Sequence, residues 1–299
     1  VSPILPKHPV WAAAVAAVVL STIVAGCGLL PLSVAGLLVA TGGPLQVTDG
    51  SGGLAAFDGP AEPVVAVTSS DGRVVAATVD GRLITSSGSG GTRTWEDVDV
   101  PADARLRFPL IAVSPLGQKL AMAVGEPQGA SFDLLLVDVG LGTMRSISVG
   151  RGLNGPPAWI GPGIVALDVI KPNGESAVAT IDIGSGAVTD DALPGHVVSA
   201  SIDGKRLALD DPATGDVLVG ETVSAGVGPL GDVVSLRGPA GSGVESLAMS
   251  PAGGHLAVVR RADGGSALVE LYRAVDGGWS KARTIELAGD GAVSVAWLQ

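Results

Sequence analysis

The chain has 299 residues, 46% of them apolar, with 45 glycines and 20 prolines. That is enough for one large domain with a real core, and too apolar for a disordered chain. The formal charge is −11 and no cluster of four or more basic residues occurs, which argues against a nucleic-acid partner and against electrostatic attraction to an anionic lipid surface. Aromatic residues make up 3%, too few for a sugar-binding or base-stacking platform.

The N-terminus opens with Lys7 and His8, a short, weakly positive stretch, followed by the uncharged apolar run Val10–Gly26. This run ends at Val24-Ala25-Gly26-Cys27, the layout of a secretory signal with small residues before the cut. Cys27 is the only cysteine, so no intramolecular disulfide can form. The tetrapeptide resembles the bacterial lipobox: a branched aliphatic residue, two small residues and a cysteine. The resemblance implies that the Cys27 thiol takes a diacylglyceryl group and becomes the new N-terminus after cleavage. Two acyl chains anchor a protein stably where one is marginal. An incidental cysteine and an uncleaved signal anchor are the alternatives. The apolar run, as helix, spans only about 26 Å, short of a ~30 Å hydrocarbon core.

The expected division is therefore a signal peptide over 1–26, a lipid-anchored tether over 27–32 and the fold over 33–299. No charge occurs from Pro9 to Thr48, but Pro31, Gly42, Gly43 and Pro44 interrupt the apolar tract. Leu32–Thr41 accordingly reads as a buried strand rather than as more helix.

From Val64 onward one pattern recurs: an apolar strand, a tight Ser-Pro-x-Gly or Ser-x-Asp-Gly turn, and a second apolar strand. It is clearest at Leu110–Val124 and returns at Ser246–Val259, Val197–Leu209 and Val64–Ala77, with a degenerate copy at Pro156–Val169. The turn glycines Gly72, Gly117, Gly163, Gly204 and Gly253 are spaced 45, 46, 41 and 49 residues apart. A period in the forties with about four short strands per unit is the signature of a β-propeller.

Strands a to d of the five units follow in order. The first holds 64–68, 73–79, 82–87 and 92–100; the second holds 110–113, 119–124, 132–139 and 143–149. The third holds 156–160, 164–170, 176–183 and 187–193, and the fourth 197–202, 206–211, 216–223 and 232–237. The fifth holds 244–250, 255–261, 267–273 and 282–287. Strands b and c are runs of Val, Leu, Ile and Ala, as suits sheets covered on both faces. Strand d carries charge, as suits an outer edge. Two pieces remain, and they complement each other. Ala292–Leu298 matches a strand a, while 33–41, 44–49 and 52–59 read as b, c and d. The expected fold is thus all-β, a six-bladed propeller closed by its two ends and preceded by a signal-peptide helix.

Little in the chain points to catalysis. His8, His196 and His255 have no metal-ligand spacing, and no cysteine cluster exists. No nucleophile elbow or phosphate-cradling loop appears in its required context. The carboxylates Glu96-Asp97, Asp99, Asp190-Asp191 and Asp210-Asp211 fall in outer strands or turns and read as a solvated acidic rim. Neither a metal nor a cofactor is expected. Trp95 and Trp279 occupy corresponding outer strands, Trp159 and Trp297 corresponding inner ones. Core packing explains both pairs, and Trp159 and Trp297 are also the candidate contact surface at the channel mouth.

The Ser-Pro-x-Gly-x-x-Leu-Ala repeat at Ser114–Ala121 and Ser250–Ala257 resembles the WD40-like, TolB-type propeller family. With the lipobox, the chain looks like the propeller lipoproteins of high-GC Gram-positive bacteria, among them the LpqB-type proteins. It departs from these in the short stretch between lipid and propeller and in its degenerate third repeat. The resemblance implies service to a membrane sensor system and carries over no catalytic residue. The expectation is a monomeric, lipid-anchored, extracytoplasmic binding or scaffold module with an envelope protein as partner. A propeller hydrolase or lactonase, or a small-ligand sensor, with its site at the channel mouth is the alternative.

Overall fold

A computed structural model describes residues 36–49, 53–70, 72–87, 93–100, 111–125, 131–153, 155–193, 195, 198–222, 230–262, 265–289 and 291–298. The signal peptide with Val24, Ala25 and Gly26, the lipidation site Cys27, the 27–32 tether, His8, His196 and Asp71 lie outside the described residues.

The repeat motif is a turn that closes on its own hydrogen bonds. The Ser114 N–H donates to the Lys119 carbonyl at 2.7 Å, and the Ser114 Oγ accepts the Lys119 N–H at 3.0 Å. The Gly117 N–H returns to the Ser114 carbonyl at 2.8 Å. Ser201 does the same with Arg206 and Gly204, and Ser250 with His255 and Gly253. Each glycine sits at a φ of +66° or +67°, where a Cβ is strained. The Ser-x-x-Gly signature is therefore a folding instruction, with one residue for the side-chain bond and one for the left-handed step.

Each turn joins strands a and b of a four-stranded antiparallel sheet. In the first blade these are β4 (Val64–Ser70), β5 (Arg73–Thr78), β6 (Leu83–Ser87) and β7 (Thr94–Asp97). The second has β8 (Ile111–Val113), β9 (Lys119–Gly125), β10 (Phe132–Asp138) and β11 (Met144–Ser148). The fourth has β17 (Val198–Ala200), β18 (Arg206–Asp211), β19 (Asp216–Thr222) and β20 (Leu230–Leu236). The fifth has β21 (Ser242–Met249), β22 (His255–Ala262), β23 (Ala267–Val275) and β24 (Gly278–Leu287).

The third blade departs from the expected four strands. Its inner strand is split into β12 (Gly152–Leu153) and β13 (Ala158–Gly161), both pairing with β14 (Ile164–Ile170), which continues to β15 (Ser176–Asp182) and β16 (Val188–Leu193). Pro156 and Pro157 fall at the break. Neither has an N–H to give to a ladder, so the strand is interrupted and resumes.

The sixth blade is built from both ends of the chain. β25 (Ser294–Trp297) lies beside β1 (Leu37–Ala40), followed by β2 (Gln46–Thr48) and β3 (Leu54–Ala56). The register pairs Leu37 with Trp297, Leu38 with Ala296, Val39 with Val295 and Ala40 with Ser294. Where other blades have an a–b turn, the Leu298 N–H donates across the gap to the Gly36 carbonyl at 2.6 Å. The C-terminal strand thus gives the sixth blade the inner strand that its N-terminal piece lacks.

Neighbouring blades pack face to face, which explains the apolar runs on both faces of b and c. Leu134 and Leu136 of the second blade meet Val165 and Leu167 of the third. Leu38 and Ala40 of the sixth meet Val74 and Ile84 of the first. The fourth–fifth seam differs: beside Val219, Val258 and Tyr272 it holds a buried ion pair. The Arg260 guanidinium, 0% exposed, donates from Nε to Glu270 Oε2 at 2.8 Å and reaches the carbonyls of Gly215 and Leu236 in the fourth blade. Glu270 also accepts from the Tyr272 hydroxyl at 3.0 Å and from the Lys281 ammonium. Burial alone pushes the Glu270 carboxyl up, but donors from Lys281, Arg260 and Tyr272 outweigh it and hold it below the ordinary value. Burial first, then the Glu270 charge, pushes the Tyr272 phenol upward.

Candidate functional site

Six inner strands, β4, β8, β13, β17, β21 and β25, converge on the axis and line a cavity of about 170 Å³. Its described lining is serine, threonine, alanine, proline, branched aliphatics, Met249 and two tryptophans, with no Asp, Glu, Lys, Arg or His among them. The hydroxyls there staple one blade to the next. Ser294 Oγ accepts the Val67 N–H at 3.1 Å, Thr68 Oγ1 accepts the Val113 N–H at 3.2 Å, and Ser199 Oγ accepts the Met249 N–H at 2.8 Å. Ser69 donates to the Trp297 carbonyl, and Ser70 to the Pro115 carbonyl at 2.8 Å. An inner strand has a neighbour strand on one side only, so hydroxyls take up backbone groups that no ladder can reach.

Trp159 and Trp297 lie on this lining, each 7% exposed. The Trp159 Nε1–H donates to the Ala112 carbonyl at 3.0 Å, and the Trp297 Nε1–H to the Ala248 carbonyl at 2.8 Å. Each indole reaches back to the preceding blade, the third to the second and the sixth to the fifth. Each acts as a wedge at a blade seam, and its polar handle is already engaged. Trp95 and Trp279 are half-buried on outer strands; Trp95 donates to the Asp58 carbonyl at 3.1 Å, and Trp279 lies under the Arg206 guanidinium.

His255 opens β22 with its ring 5.7 Å from that of Trp297. Burial first, then the Arg273 charge, holds its imidazole below the usual value, so it is neutral at pH 7. Among the described residues no group of three or more His, Cys, Asp or Glu could hold a metal ion.

The acidic groups divide. Asp97 pairs with Arg82 at 2.5 Å, and Asp190 with Arg151 at 2.6 Å. Asp211 is drawn below its ordinary value by hydrogen bonds from Thr214 and Ala213. Asp210 corrects the expectation of a solvated rim: it is 6% exposed, because the chain crosses over it at Gly195. A Cβ there would stand 2.3 Å from the Asp210 carbonyl oxygen. Glu96, Asp97, Asp99 and Asp138 line an outer cleft between the first two blades with Arg73 as counter-charge. Asp138 Oδ1 is taken by the N–H groups of Gly140 and Leu141 at 3.1 and 2.9 Å.

A second turn also repeats in the sequence. Asp138-Val-Gly-Leu-Gly142 and Asp182-Ile-Gly-Ser-Gly186 are the same c–d turn. In each, the aspartate caps two N–H groups, and the last glycine, at φ +64° or +77°, donates back to the aspartate carbonyl.

No family model matches the chain, and no curated protein matches it. Solved structures do. TolB from Acinetobacter baumannii aligns over 88% of this chain and 66% of its own, with a TM-score of 0.63 and 15% identity. The putative TolB from Agrobacterium tumefaciens aligns over 84% and 89%, at 0.57 and 17%. A chain of a nidogen/laminin complex aligns over 89% and 98%, at 0.61 and 12%. This chain thus spans about two thirds of the length of the Acinetobacter protein. At these identities the likeness speaks for architecture, and the architecture is that of a six-bladed β-propeller with TolB-like neighbours.

Proposed function

We propose that the protein is a lipid-anchored, extracytoplasmic, monomeric propeller that serves as a non-enzymatic binding or scaffold module for an envelope protein, accessory to a membrane sensor or transport system. The observation that carries this reading is the chemistry of the channel. Its described lining holds no titratable side chain, and the hydroxyls named above are committed to blade seams. A hydrolase or lactonase wants His, Glu or metal-binding Asp converging at the axis. A small-ligand sensor wants a roomier site: about 170 Å³ is below the ~300 Å³ at which ligand pockets begin. A ring whose blades are joined by hydroxyl and indole hydrogen bonds and, between the third and fourth, by the Ile160, Leu207 and Leu209 cluster suits presentation of its rims. The lipobox-like Val24–Cys27 supplies the location.

The test is palmitate labelling and crosslinked pull-down from membranes of cells carrying the wild type or Cys27→Ser. The wild type is expected to take the label and capture one envelope protein reproducibly, and Cys27→Ser to take none. Label persisting in Cys27→Ser overturns the anchor. Turnover of esters or lactones by purified protein that captures no partner overturns the scaffold.

A further inference from the structure

The two faces of the ring differ. The a–b and c–d turns share one face; the b–c turns and the d–a connections share the other. Six large apolar side chains are conspicuously exposed among the described residues, and four lie at turn-face positions: Leu116 (63%), Leu141 (77%), Met144 (42%) and Val275 (40%). Val79 is on the opposite face and Val233 on an outer strand.

Turn geometry does not ask for these residues. Leu116 stands where the same Ser-x-x-Gly turn has Asp203 in the fourth blade and Ala252 in the fifth. Leu141 stands where the twin Asp-x-Gly-x-Gly turn has Ser185, whose hydroxyl bonds back to Asp182 at 3.0 Å. Leu116, Leu141 and Met144 all belong to the second blade, so the excess is concentrated. Concentrated apolar exposure of this kind marks a contact surface.

Where the chain enters the ring says what that surface meets. Gly36 and Leu37 begin strand b of the sixth blade, opposite Trp297 and Leu298, and so emerge on the turn face. From Cys27 to Leu37 is ten residues, at most about 36 Å of extended chain. Reaching the other face from strand b takes about 10 Å across two strand spacings to the outer edge and about 13 Å along a four-residue strand, which spends most of the tether, whereas the turn face is met directly.

We infer that the turn face docks on the lipid bilayer, with Leu116, Leu141 and Met144 entering the headgroup–acyl boundary and the opposite face left to a partner. The inference rests on the lipid-anchor reading. Insertion is by apolar contact rather than charge, because the chain is net acidic at −11 and anionic headgroups repel it.

The experiment uses the full, lipidated chain in phosphatidylcholine vesicles and a charged, water-soluble maleimide. The parental chain, its sole thiol consumed in the lipid thioether, is expected not to react. Leu141→Cys is expected to react about tenfold more slowly than Val79→Cys, although its position is the more exposed in the free protein, because the thiolate must leave the interface to meet the reagent. Leu116→Cys is expected to follow Leu141→Cys. A reactive parental chain overturns the anchor, and this orientation with it. An unreactive parental chain with equal rates at positions 79 and 141 overturns the orientation alone. Protection of position 141 in native membranes but not in protein-free vesicles overturns docking on lipid in favour of a protein on that face.

Discussion

Removing the Arg260 guanidinium puts the seam between the fourth and fifth blades under the most direct stress. In Arg260→Met the aliphatic length is kept and the charge is lost. Glu270 Oε2 then keeps only the Tyr272 hydroxyl, and the Gly215 and Leu236 carbonyls lose a donor. Breaking a buried pair from one side destabilises by about 3–5 kcal/mol. Replacing both partners, as Arg260→Met with Glu270→Leu, leaves no orphaned charge, so the double variant should lie well above the sum of the single ones. Lys281, 42% exposed, can turn to water in that background.

Proton linkage gives an independent readout. In the wild type the Glu270 carboxyl is held below its ordinary value, so its contribution is complete above the unfolded pKa and lost as pH falls through the folded one. In Arg260→Met burial has the larger say and raises that carboxyl, so the gap between variant and wild type should narrow as pH falls from 7 towards 5. Urea unfolding at several pH values measures both effects. A single-variant loss under 1 kcal/mol, or a gap independent of pH, would refute the claim that the pair is sealed between blades.

Three other expectations follow from the same geometry. Gly204→Ala places a Cβ at φ +67° and 2.2 Å from the Ile160 carbonyl oxygen of the neighbouring blade; it should lose more than the ~1–2 kcal/mol of the left-handed step alone. Gly163→Ala, with open space around it, should be neutral within ~0.5 kcal/mol, both measured by urea midpoints. Trp159→Phe keeps a ring but orphans the Ala112 carbonyl and should cost about 1–3 kcal/mol, with Trp297→Phe matching it at Ala248; near-neutral values for both would contradict the wedge role. His255, held low by burial and by Arg273, binds its proton more readily unfolded than folded. Stability should therefore fall as pH drops below the ordinary histidine value, and His255→Gln should flatten that part of the profile.

Much of the architecture was legible because the repeat encodes it locally. Ser114, Ser201 and Ser250 each close a turn within six residues, and the strand spans around them need only the apolar runs. The closure was legible by complement, since Ala292–Leu298 supplies the strand that the N-terminal piece lacks. What stayed hidden depends on neighbours distant in sequence. Arg260 follows Leu256 and Val258 on alternate positions of β22, so parity alone aimed it at the seam. Its partner, though, is on the next strand, and its carbonyl acceptors are in another blade. Asp210 looked exposed because nothing local announces Gly195 crossing above it. The repeat assigns Trp159 and Trp297 to inner strands, which β13 and β25 are, but the commitment of their indoles to Ala112 and Ala248 is set by the stacking of blades. Pro156-Pro157 signalled a degenerate repeat without saying that the inner strand is split into β12 before them and β13 after them.

The ring is closed by residues from opposite ends of the chain, and cysteines at one register pair test this. Ala40→Cys with Ser294→Cys, in a Cys27→Ser background, places two thiols on adjacent strands of the sixth blade. An intramolecular disulfide is expected on mild oxidation, independent of protein concentration, seen as faster migration on a non-reducing denaturing gel. Thiols that stay free, or that join only separate molecules, would contradict it.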